Sequence, residues 1–254
     1  MTAPRLTIDL NCDLGEGAGR DADLLPLVSS ANLAAGAHAG GGEALETAVR
    51  LALAHGVAVG AHPGHADREH FGRRELPITP EAAAAEIDAQ IAAVACVAGA
   101  ALHHVKLHGG LYHQVGRDRA LADAVVEMLA ARWPALVVYA AAGSTLAGVA
   151  RTRGLAVAEE AFCDRRYRAD GTLVPRESPA GCIDDPSEAA ARAVALAATG
   201  RIQAADGMEL PLAADTLCIH GDGPRSVAIA TAVREALRAA GIRVQSPKGR
   251  ARSM

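Results

Sequence analysis

The segment Ile8-Asp9-Leu10-Asn11-Cys12-Asp13 ends a short hydrophobic run in a group of polar side chains, and the chain repeats this arrangement many times. Further groups of this kind lie at residues 29–32, 36–38, 60–62, 106–108, 159–160, 163–167 and 220–222. In a parallel α/β fold the carboxyl ends of successive strands meet on one side and build a single active site there. The repeated groups therefore predict a parallel α/β protein with one polar site.

Short hydrophobic runs alternate with longer, alanine-rich stretches, which predicts strands followed by helices. The predicted strands are residues 6–12, 28–35, 57–61, 104–107, 136–141, 155–161, 216–220 and 242–245. The predicted helices are residues 43–54, 80–97, 119–132, 187–198 and 225–239. The 254 residues match the usual length of one (β/α) barrel. We therefore predict a single TIM-like α/β barrel domain over residues 1–246, followed by a flexible basic tail at 247–254.

Residues at the segment boundaries support this division. Thr79-Pro80 offers an N-cap followed by proline at the first helical position. The segment Asp185-Pro186-Ser187-Glu188 repeats that arrangement with Glu at N3, which predicts a capping box. Two long irregular stretches, 62–78 and 163–186, each follow a predicted strand, and loops of this length usually cover or form a binding site.

The composition argues against several classes of function. Only 2% of the residues are aromatic and the net charge is −4, so stacking surfaces and basic fields for nucleic acids or anionic membranes are scarce. No signal peptide, uncharged membrane-length span or CxxC pair is present, and we expect a cytoplasmic protein without nucleic-acid or membrane partners. The sequence also lacks a P-loop, a GxGxxG after the first strand, an HExxH and a GxSxG.

The first predicted strand places three polar side chains on one face. Asp9, Asn11 and Asp13 alternate with apolar residues, and polar groups inside a fold are costly unless they line a wet or liganded cavity. We therefore predict a site at Asp13 and at Glu16, which follows the strand. Residues 13–17 could instead form only a turn with side-chain hydrogen bonds to the backbone.

Two histidines, His38 and His62, each follow a run of glycine and alanine that would let a ligand approach closely. Together with Asp13 they would form an Asp/His/His set that suits zinc or another divalent metal with open coordination positions. The alternative is a polar pocket in which the histidines only form hydrogen bonds. Spacing does not decide between the two, because the ligands would come from separate strands.

Lys106 and His108 share one face of the fourth predicted strand, and Gly109-Gly110 then opens a loop. Lysine is rarely buried unless it is paired or functional. A lysine at a strand end could stabilise negative charge while the neighbouring histidine moves a proton. This pair is therefore a candidate for the catalytic residues.

The loop after the sixth predicted strand mixes both charges with a phenol. Arg165 is a candidate clamp for a carboxylate or a phosphate, but it could equally belong to an ion-pair network that orders the loop, and Arg176 has the same two interpretations. At the last strand, Asp222 could orient His220 or cap the next helix. We predict substrate or phosphate contacts from the following residues: Asn11, Asn32, Asp164, Arg165, Tyr167, Arg176 and His220.

Taken together, these segments resemble the LamB/YcsF family, the family of 5-oxoprolinase A subunits. The motifs that carry the resemblance include DLNCDLGEG at 9–17, GAHPG at 60–64, VKLHGG at 105–110 and ADTLCIHGD at 214–222, and matching segments extend over about residues 6–243. Five positions depart from the family pattern, namely Ala35, Ala37, Gly41, Leu107 and Gly110. Gly41 replaces an acidic residue after His-Ala-Gly, and Leu107 replaces a proline between Lys106 and His108.

The resemblance implies a seven-stranded barrel similar to that of sugar deacetylases. It also implies opening of the lactam 5-oxoproline to glutamate, with ATP as co-substrate and with partner subunits B and C. Under this hypothesis Lys106 and Arg165 or Arg176 hold developing negative charge. His108 or His38, with Asp13 or Glu16, then moves protons.

Two other functions remain open from the sequence. The first is a stand-alone metal-dependent amide or acetyl hydrolase that acts on a carbohydrate with Asp13, His38 and His62. The second is a non-catalytic subunit that presents oxoproline to its partners. A homo-oligomer is compatible with either, and the sequence does not assign the contact with ATP.

Overall fold

The protein, described over residues 6–248 of a computed structural model, is built around a closed barrel of parallel strands. In chain order the strands are β1 (Thr7–Leu14), β2 (Ser30–Ala34), β3 (Ala58–His62), β4 (Leu102–Lys106), β5 (Val137–Ala141), β6 (Ala156–Phe162), β7 (Arg201–Gln203), β8 (Glu209–Pro211), β9 (Thr216–His220) and β10 (Arg243–Val244). The barrel runs β1-β2-β3-β4-β5-β6-β9 and closes by pairing of β9 with β1. The predicted seven-stranded TIM-like barrel is confirmed.

The last predicted strand, residues 242–245, is present only as the two-residue β10. It pairs with the first residues of β1, at Thr7 and Ile8, whereas β1 from Asp9 onward pairs with β9. The strand β10 therefore pairs only with the start of β1 and does not belong to the closed barrel. The predicted flexible tail lies largely outside the described residues, which end at 248.

Helices surround the strands as an outer layer. They are α1 (Asp21–Leu24), α2 (Gly42–Ala54), α3 (Pro80–Ala98), α4 (Gly109–Arg117), α5 (Arg119–Arg132), α6 (Thr145–Thr152), α7 (Pro186–Thr199) and α8 (Ser226–Ala239). The sequence predicted α2, α3, α5, α7 and α8 but missed α1, α4 and α6. The helix α4 begins with two glycines, which are poor helix formers. Glycine is nevertheless required at Gly110, because a Cβ atom there would lie 2.2 Å from the carbonyl oxygen of Arg74.

The predicted helix boundaries are largely confirmed. The Thr79 side chain accepts from the backbone N–H of Ala82, and the Asp185 side chain accepts from that of Ser187. The predicted capping box is wrong, however, because the Glu188 carboxylate pairs with the guanidinium of Arg166 instead of turning back to the helix start. The charged partner from the long loop provides a stronger interaction than a backbone N–H.

The helix α3 is the one element of the described chain that is long and apolar enough to cross a membrane. It carries a stripe of wholly buried side chains, Ala83, Ile87, Ile91 and Val94, that packs in the apolar layer between the helices and the barrel. Its other residues include Glu86 and Asp88. This pattern is that of an outer helix of an α/β barrel, buried on one side only.

Alternation along each strand divides the core into two parts. On β1, Leu10, Cys12 and Leu14 are buried in the apolar layer beneath the helices. Asp9, Asn11 and Asp13 are also buried but belong to the opposite, inner face. The inside of the barrel is therefore polar, and the polar layer continues up to the carboxyl ends of the strands.

Candidate functional site

The lowest polar layer of the barrel centres on Asp9. Its carboxylate accepts hydrogen bonds from the hydroxyls of Ser29 (2.6 Å), Ser30 (2.8 Å), Tyr139 (2.9 Å) and Thr216 (2.6 Å). Burial raises the pKa of Asp9, and the four hydroxyl donors oppose that rise. Three of these donors, Ser30, Tyr139 and Thr216, lie on barrel strands, and Ser29 directly precedes β2, so Asp9 supports the site from below.

Lys106 occupies the centre of the next layer. Its ammonium lies 2.8 Å from Asp13 Oδ1 and 2.9 Å from Glu160 Oε1, and it donates to Asn11 Oδ1 at 3.1 Å. Burial by itself would lower the pKa of Lys106, but the negative charges of Asp13 and Glu160 outweigh it and raise that pKa well above its usual range. The lysine is therefore held as a cation between two carboxylates.

Amide side chains complete this layer. Asn32 Nδ2 donates to both Asn11 Oδ1 (2.7 Å) and Asp13 Oδ1 (2.8 Å), and Asn11 Nδ2 donates to Glu160 Oε1 (2.9 Å). Tyr112 donates to the other oxygen of Glu160 at 2.8 Å. These bonds fix the orientation of both carboxylates, so Asn11 and Asn32 act here as positioning residues.

Above Lys106, the rings of His62 and His108 face each other through nitrogen atoms 3.0 Å apart, His62 Nε2 and His108 Nδ1. The remaining nitrogen of each ring lies 2.8 Å from a backbone carbonyl, that of Lys106 for His62 and that of Phe71 for His108. A carbonyl oxygen only accepts, so each of these nitrogens carries a hydrogen. In their neutral forms both rings therefore direct a lone pair toward the same point.

Glu16 and His38 lie next to this pair. Glu16 Oε1 is 3.4 Å from His108 Nδ1, 3.8 Å from His62 Nε2 and 3.1 Å from His38 Nε2. The His38 ring stacks on that of His108 with centroids 3.8 Å apart, and burial lowers the pKa of both histidines. Among the described residues, two groups could hold a metal ion: the four side chains Glu16, His38, His62 and His108, and the three side chains Asp13, Cys218 and His220.

The sequence predicted a metal at Asp13, His38 and His62. The structure does bring Asp13 close to His62, with Oδ2 3.4 Å from His62 Nε2. Burial raises the pKa of Asp13, but His62 and Lys106 outweigh burial and hold that pKa well below its usual range. Because its other oxygen is engaged by Lys106 and Asn32, Asp13 is less free to bind a metal than Glu16.

The first long loop, which lies at residues 63–79 in the structure, packs against the histidines. Phe71 has φ +56°, an unusual left-handed conformation for an aromatic residue, and its carbonyl accepts from His108. A Cβ atom at Gly64 would lie 2.7 Å from His38 Nδ1, and one at Gly72 would lie 2.7 Å from the Cβ atom of His38. Only glycine allows the loop backbone to approach the rings this closely.

On the other side of Asp13, Asp164 and His220 form a second pair. Asp164 Oδ2 accepts from His220 Nδ1 at 2.9 Å and from the His220 backbone N–H at 2.8 Å. Burial raises the pKa of Asp164, but His220 outweighs it and lowers that pKa. The hydrogen-bonded Nδ1–H leaves His220 Nε2 with a lone pair. The side chain of His220 is 16% exposed and lines a cavity beside the pair.

Neither of the two interpretations of Asp222 is confirmed, because Asp164 orients His220 and the N-cap position of α8 is Arg225. Asp222 instead accepts from Arg176 at 2.7 Å and forms an ion pair with Arg73 across the mouth of the barrel. A cavity of about 200 Å³ lies here, lined in part by Asp164, Arg176 and His220. Asp164 Oδ1 is buried and has no partner among the described residues.

Arg165 also lines this cavity and Tyr167 does not, but the polar groups of both side chains are bonded to the protein backbone. The Arg165 guanidinium donates to the backbone carbonyls of Val174 (2.8 Å) and Gly181 (3.0 Å), and Tyr167 accepts from the backbone N–H of Phe162. Both side chains order the second long loop from inside. The structure therefore favours the alternative interpretation, in which Arg165 holds the loop together.

Sequence reasoning missed Glu160 as the second carboxylate on Lys106, and it missed the contribution of the Phe71 carbonyl. Glu160 does stand at a strand end, which was the available signal, but Glu159 stands beside it and the two were not separated. In the structure Glu160 is buried in the barrel, whereas Glu159 pairs with Arg151 on the outside. No sequence pattern marks a backbone carbonyl as a partner of a histidine.

The family model that matches this chain is described as LamB/YcsF family, and it covers residues 8–252. The chain belongs to the LamB/YcsF family. A solved structure named lactam utilization protein, from Thermus thermophilus, is 46% identical, with a TM-score of 0.88 over 95% of this chain and 100% of that one. An uncharacterized protein from Agrobacterium tumefaciens is 16% identical, with a TM-score of 0.59 over 97% of this chain and 89% of that one, and shows the fold alone.

The structure gives a physical reason for glycine at position 41, where the LamB/YcsF family pattern described above has an acidic residue. Gly41 has φ +87°, and a Cβ atom there would lie 2.9 Å from the Cα atom of Gly36. The loop that carries His38 is therefore folded tightly back on itself, in a conformation that glycine adopts without strain. An acidic side chain at position 41 would require a different path for this loop.

Proposed function

We propose that this LamB/YcsF protein is the barrel subunit of a cytoplasmic ATP-dependent 5-oxoprolinase. It would open the lactam of 5-oxo-L-proline to L-glutamate together with partner subunits B and C. Its family and its similarity to a protein named for lactam utilization support a role in lactam use. The observation that carries the chemistry is the buried Lys106 ammonium, which lies between Asp13 and Glu160. Beside it lie the group Glu16, His38, His62 and His108 and, on the other side of Asp13, His220.

The need for ATP follows from the stability of the amide bond in an unstrained lactam ring. Phosphoryl transfer from ATP to the lactam oxygen would release ADP and leave a good leaving group on the ring carbon. Water would then add to that carbon, and the C–N bond would break as the nitrogen takes a proton. A second water would hydrolyse the resulting acyl phosphate to glutamate and phosphate.

Within this sequence of steps Lys106 would stabilise the negative charge that develops on the oxygens at the ring carbon, because a fixed cation in a site closed to water acts strongly there. His220, oriented by Asp164, would take the proton from the attacking water. Arg176 lines the same cavity and would pair with the substrate carboxylate. Neither partner subunit is needed for these roles.

The chain lacks the glycine-rich phosphate loops named above, and the proposal assigns no residue of this chain to the contact with ATP. The test is a glutamate-release assay with the purified chain, with and without subunits B and C and with and without ATP. We expect glutamate only when both ATP and the partners are present. Glutamate release that requires neither would refute the proposal.

A second candidate is a stand-alone metal-dependent amide or acetyl hydrolase, and the group Glu16, His38, His62 and His108 favours it. The same purified chain, assayed alone on N-acetylated sugars after metal addition, separates the two functions. Hydrolysis of the N-acetylated sugars, together with no activity of the full complex on oxoproline, would favour the hydrolase. Oxoproline turnover that survives loss of Lys106 and His220 would instead indicate a subunit that only presents the substrate.

A further inference from the structure

We infer that Glu16, His62 and His108 form a mononuclear site for a divalent transition-metal ion, with His38 holding the Glu16 carboxylate in place. The site is defined by the arrangement of donor atoms in this chain and is independent of the proposed oxoprolinase activity. Glu16 takes the place of the predicted ligand Asp13. His108, which the sequence suggested only as a catalytic residue, becomes a ligand.

Each of the two rings, when neutral, carries a hydrogen on one nitrogen, so the other nitrogen of each ring has a lone pair free to bind a cation. His62 Nδ1 and His108 Nε2 are each tied to a carbonyl, so His62 Nε2 and His108 Nδ1 are the free nitrogens, and they lie 3.0 Å apart. Two lone pairs at this distance repel each other unless a cation lies between them. Histidine ligands of metals characteristically donate their other N–H to a carbonyl or a carboxylate, as both rings do here.

The distances among the three donor atoms fit a tetrahedral ion. A tetrahedral zinc site with bonds of 2.0–2.1 Å separates its ligand atoms by about 3.3 Å. The three separations here are 3.0 Å between the histidine nitrogens, 3.4 Å from His108 Nδ1 to Glu16 Oε1, and 3.8 Å from His62 Nε2 to Glu16 Oε1. The three atoms therefore already stand close to the positions of three corners of such a site.

The alternative to a metal is a proton shared by the two nitrogens. A proton on His62 Nε2 would satisfy His108 Nδ1, and the nearby Asp13 favours it by raising the pKa of His62 against the effect of burial. A shared proton would engage only the two nitrogens and would leave Glu16 Oε1, which His38 holds 3.4 Å from His108 Nδ1, facing the acceptor of that proton. Two acceptors at this distance attract each other only through a cation that both can bind.

His38 lies behind the ligands and does not complete the coordination. It stacks parallel to His108, so its ring plane does not contain the point at which His62 and His108 converge. Its Nε2 lies 3.1 Å from Glu16 Oε1 and donates to it, as residues behind a metal ligand do. Two imidazoles and one carboxylate suit Zn²⁺, Co²⁺ or a similar ion and leave a fourth position open.

The experiment uses the whole chain, purified, stripped with a chelator and titrated calorimetrically with Zn²⁺ and separately with Co²⁺. We expect one ion per chain, a rise in the unfolding temperature, and the visible absorption of four-coordinate Co²⁺. The variants Glu16→Gln and His108→Asn should each weaken binding by at least about 100-fold. The control variant His70→Gln removes a partly exposed histidine of the first long loop and should bind the metal ion as tightly as the parent protein does.

Circular dichroism and thermal unfolding of each variant would show that it is folded, and Glu16→Gln preserves the size of the side chain in case His108→Asn does not fold. A folded parent chain that takes up no stoichiometric Zn²⁺ or Co²⁺ would overturn the inference. Equal binding by the parent, Glu16→Gln and His108→Asn would overturn it as well, since the ion would then be adventitious. Neither result depends on whether the complex opens oxoproline.

Discussion

The Lys106 ammonium and the Asp13 carboxylate, on strands that are not neighbours in the barrel, lie 2.8 Å apart with side chains only 3% and 7% exposed. Glu160 completes the arrangement from a third strand, so the cation joins three sides of the barrel. A charge buried at this depth is tolerated only because its partners are buried with it. The pair therefore stabilises the barrel, and under the proposed function it would also serve the chemistry, two contributions that mutation can separate.

Replacement of Lys106 by methionine should lower the rate of glutamate release by the complex by about 100-fold or more, because no other cation replaces the ammonium. It should also lower the free energy of unfolding by about 3–5 kcal/mol, since two buried carboxylates lose their partner. The double variant Lys106→Met/Asp13→Asn should regain part of that stability but none of the activity. Recovery of activity in the double variant would show that Lys106 acts only in folding.

Replacement of His220 by asparagine should lower kcat by about 100-fold or more, because the proposed base is lost. Asp164→Asn should also lower kcat and should change its pH profile, since the amide no longer fixes the His220 tautomer. The control is Asp222→Asn, which releases Arg73 and Arg176 and is expected to change KM more than kcat. A pH profile that His220→Asn leaves unchanged would exclude His220 as the base.

The buried histidine His104 should make the protein sensitive to mild acid. Burial holds the pKa of His104 well below its usual value, with His103 and Lys106 adding to the effect, so the ring is neutral in the folded protein. Its contribution to stability is therefore present above the unfolded-state pKa of about 6.5 and is lost as pH falls below it. The slope attributable to this one ring is at most about 1.36 kcal/mol per pH unit.

Denaturant unfolding between about pH 7 and pH 5 measures that slope. The variant His104→Gln retains a donor for Asn32 Oδ1, which His104 Nε2 contacts at 2.9 Å, and should flatten the dependence on pH. His70→Gln serves as the control, since the His70 side chain is 37% exposed. A slope that His104→Gln does not reduce would contradict the assignment.

Two glycine-to-alanine substitutions should have opposite effects. A Cβ atom at Gly60, on β3 inside the barrel, would lie 2.1 Å from His104 Nε2, so Gly60→Ala must displace a packed ring and should destabilise the protein by about 1–3 kcal/mol. A Cβ atom at Gly148, within α6, would meet no neighbouring atom within 4 Å, and Gly148→Ala should stabilise by about 0.4–1 kcal/mol. Thermal unfolding of both variants, compared with the parent, checks the pair; equal effects would contradict the packing of His104 against β3.

The sequence by itself determined the alternation of strands and helices, the parallel barrel, and the rim that carries Asp13, His38, His62, Lys106 and His108. These follow from local patterns, namely short apolar runs, N-caps and glycines after helices. Tertiary structure alone decided which of the polar groups meet. In the folded chain Lys106 pairs with Glu160, and Arg165 and Tyr167 form hydrogen bonds with the backbone around the second long loop. His220 is oriented by Asp164, and not by Asp222.

The physical reason is that a strand fixes which face a side chain occupies, whereas its partner across a closed barrel depends on the stagger of strands far apart in the chain. His62 and His108 show this most directly. Their positions at strand ends are evident from the sequence, but the hydrogens on their rings are set by the carbonyls of Lys106 and Phe71. Only the folded chain brings those carbonyls into place and directs the two free nitrogens toward Glu16.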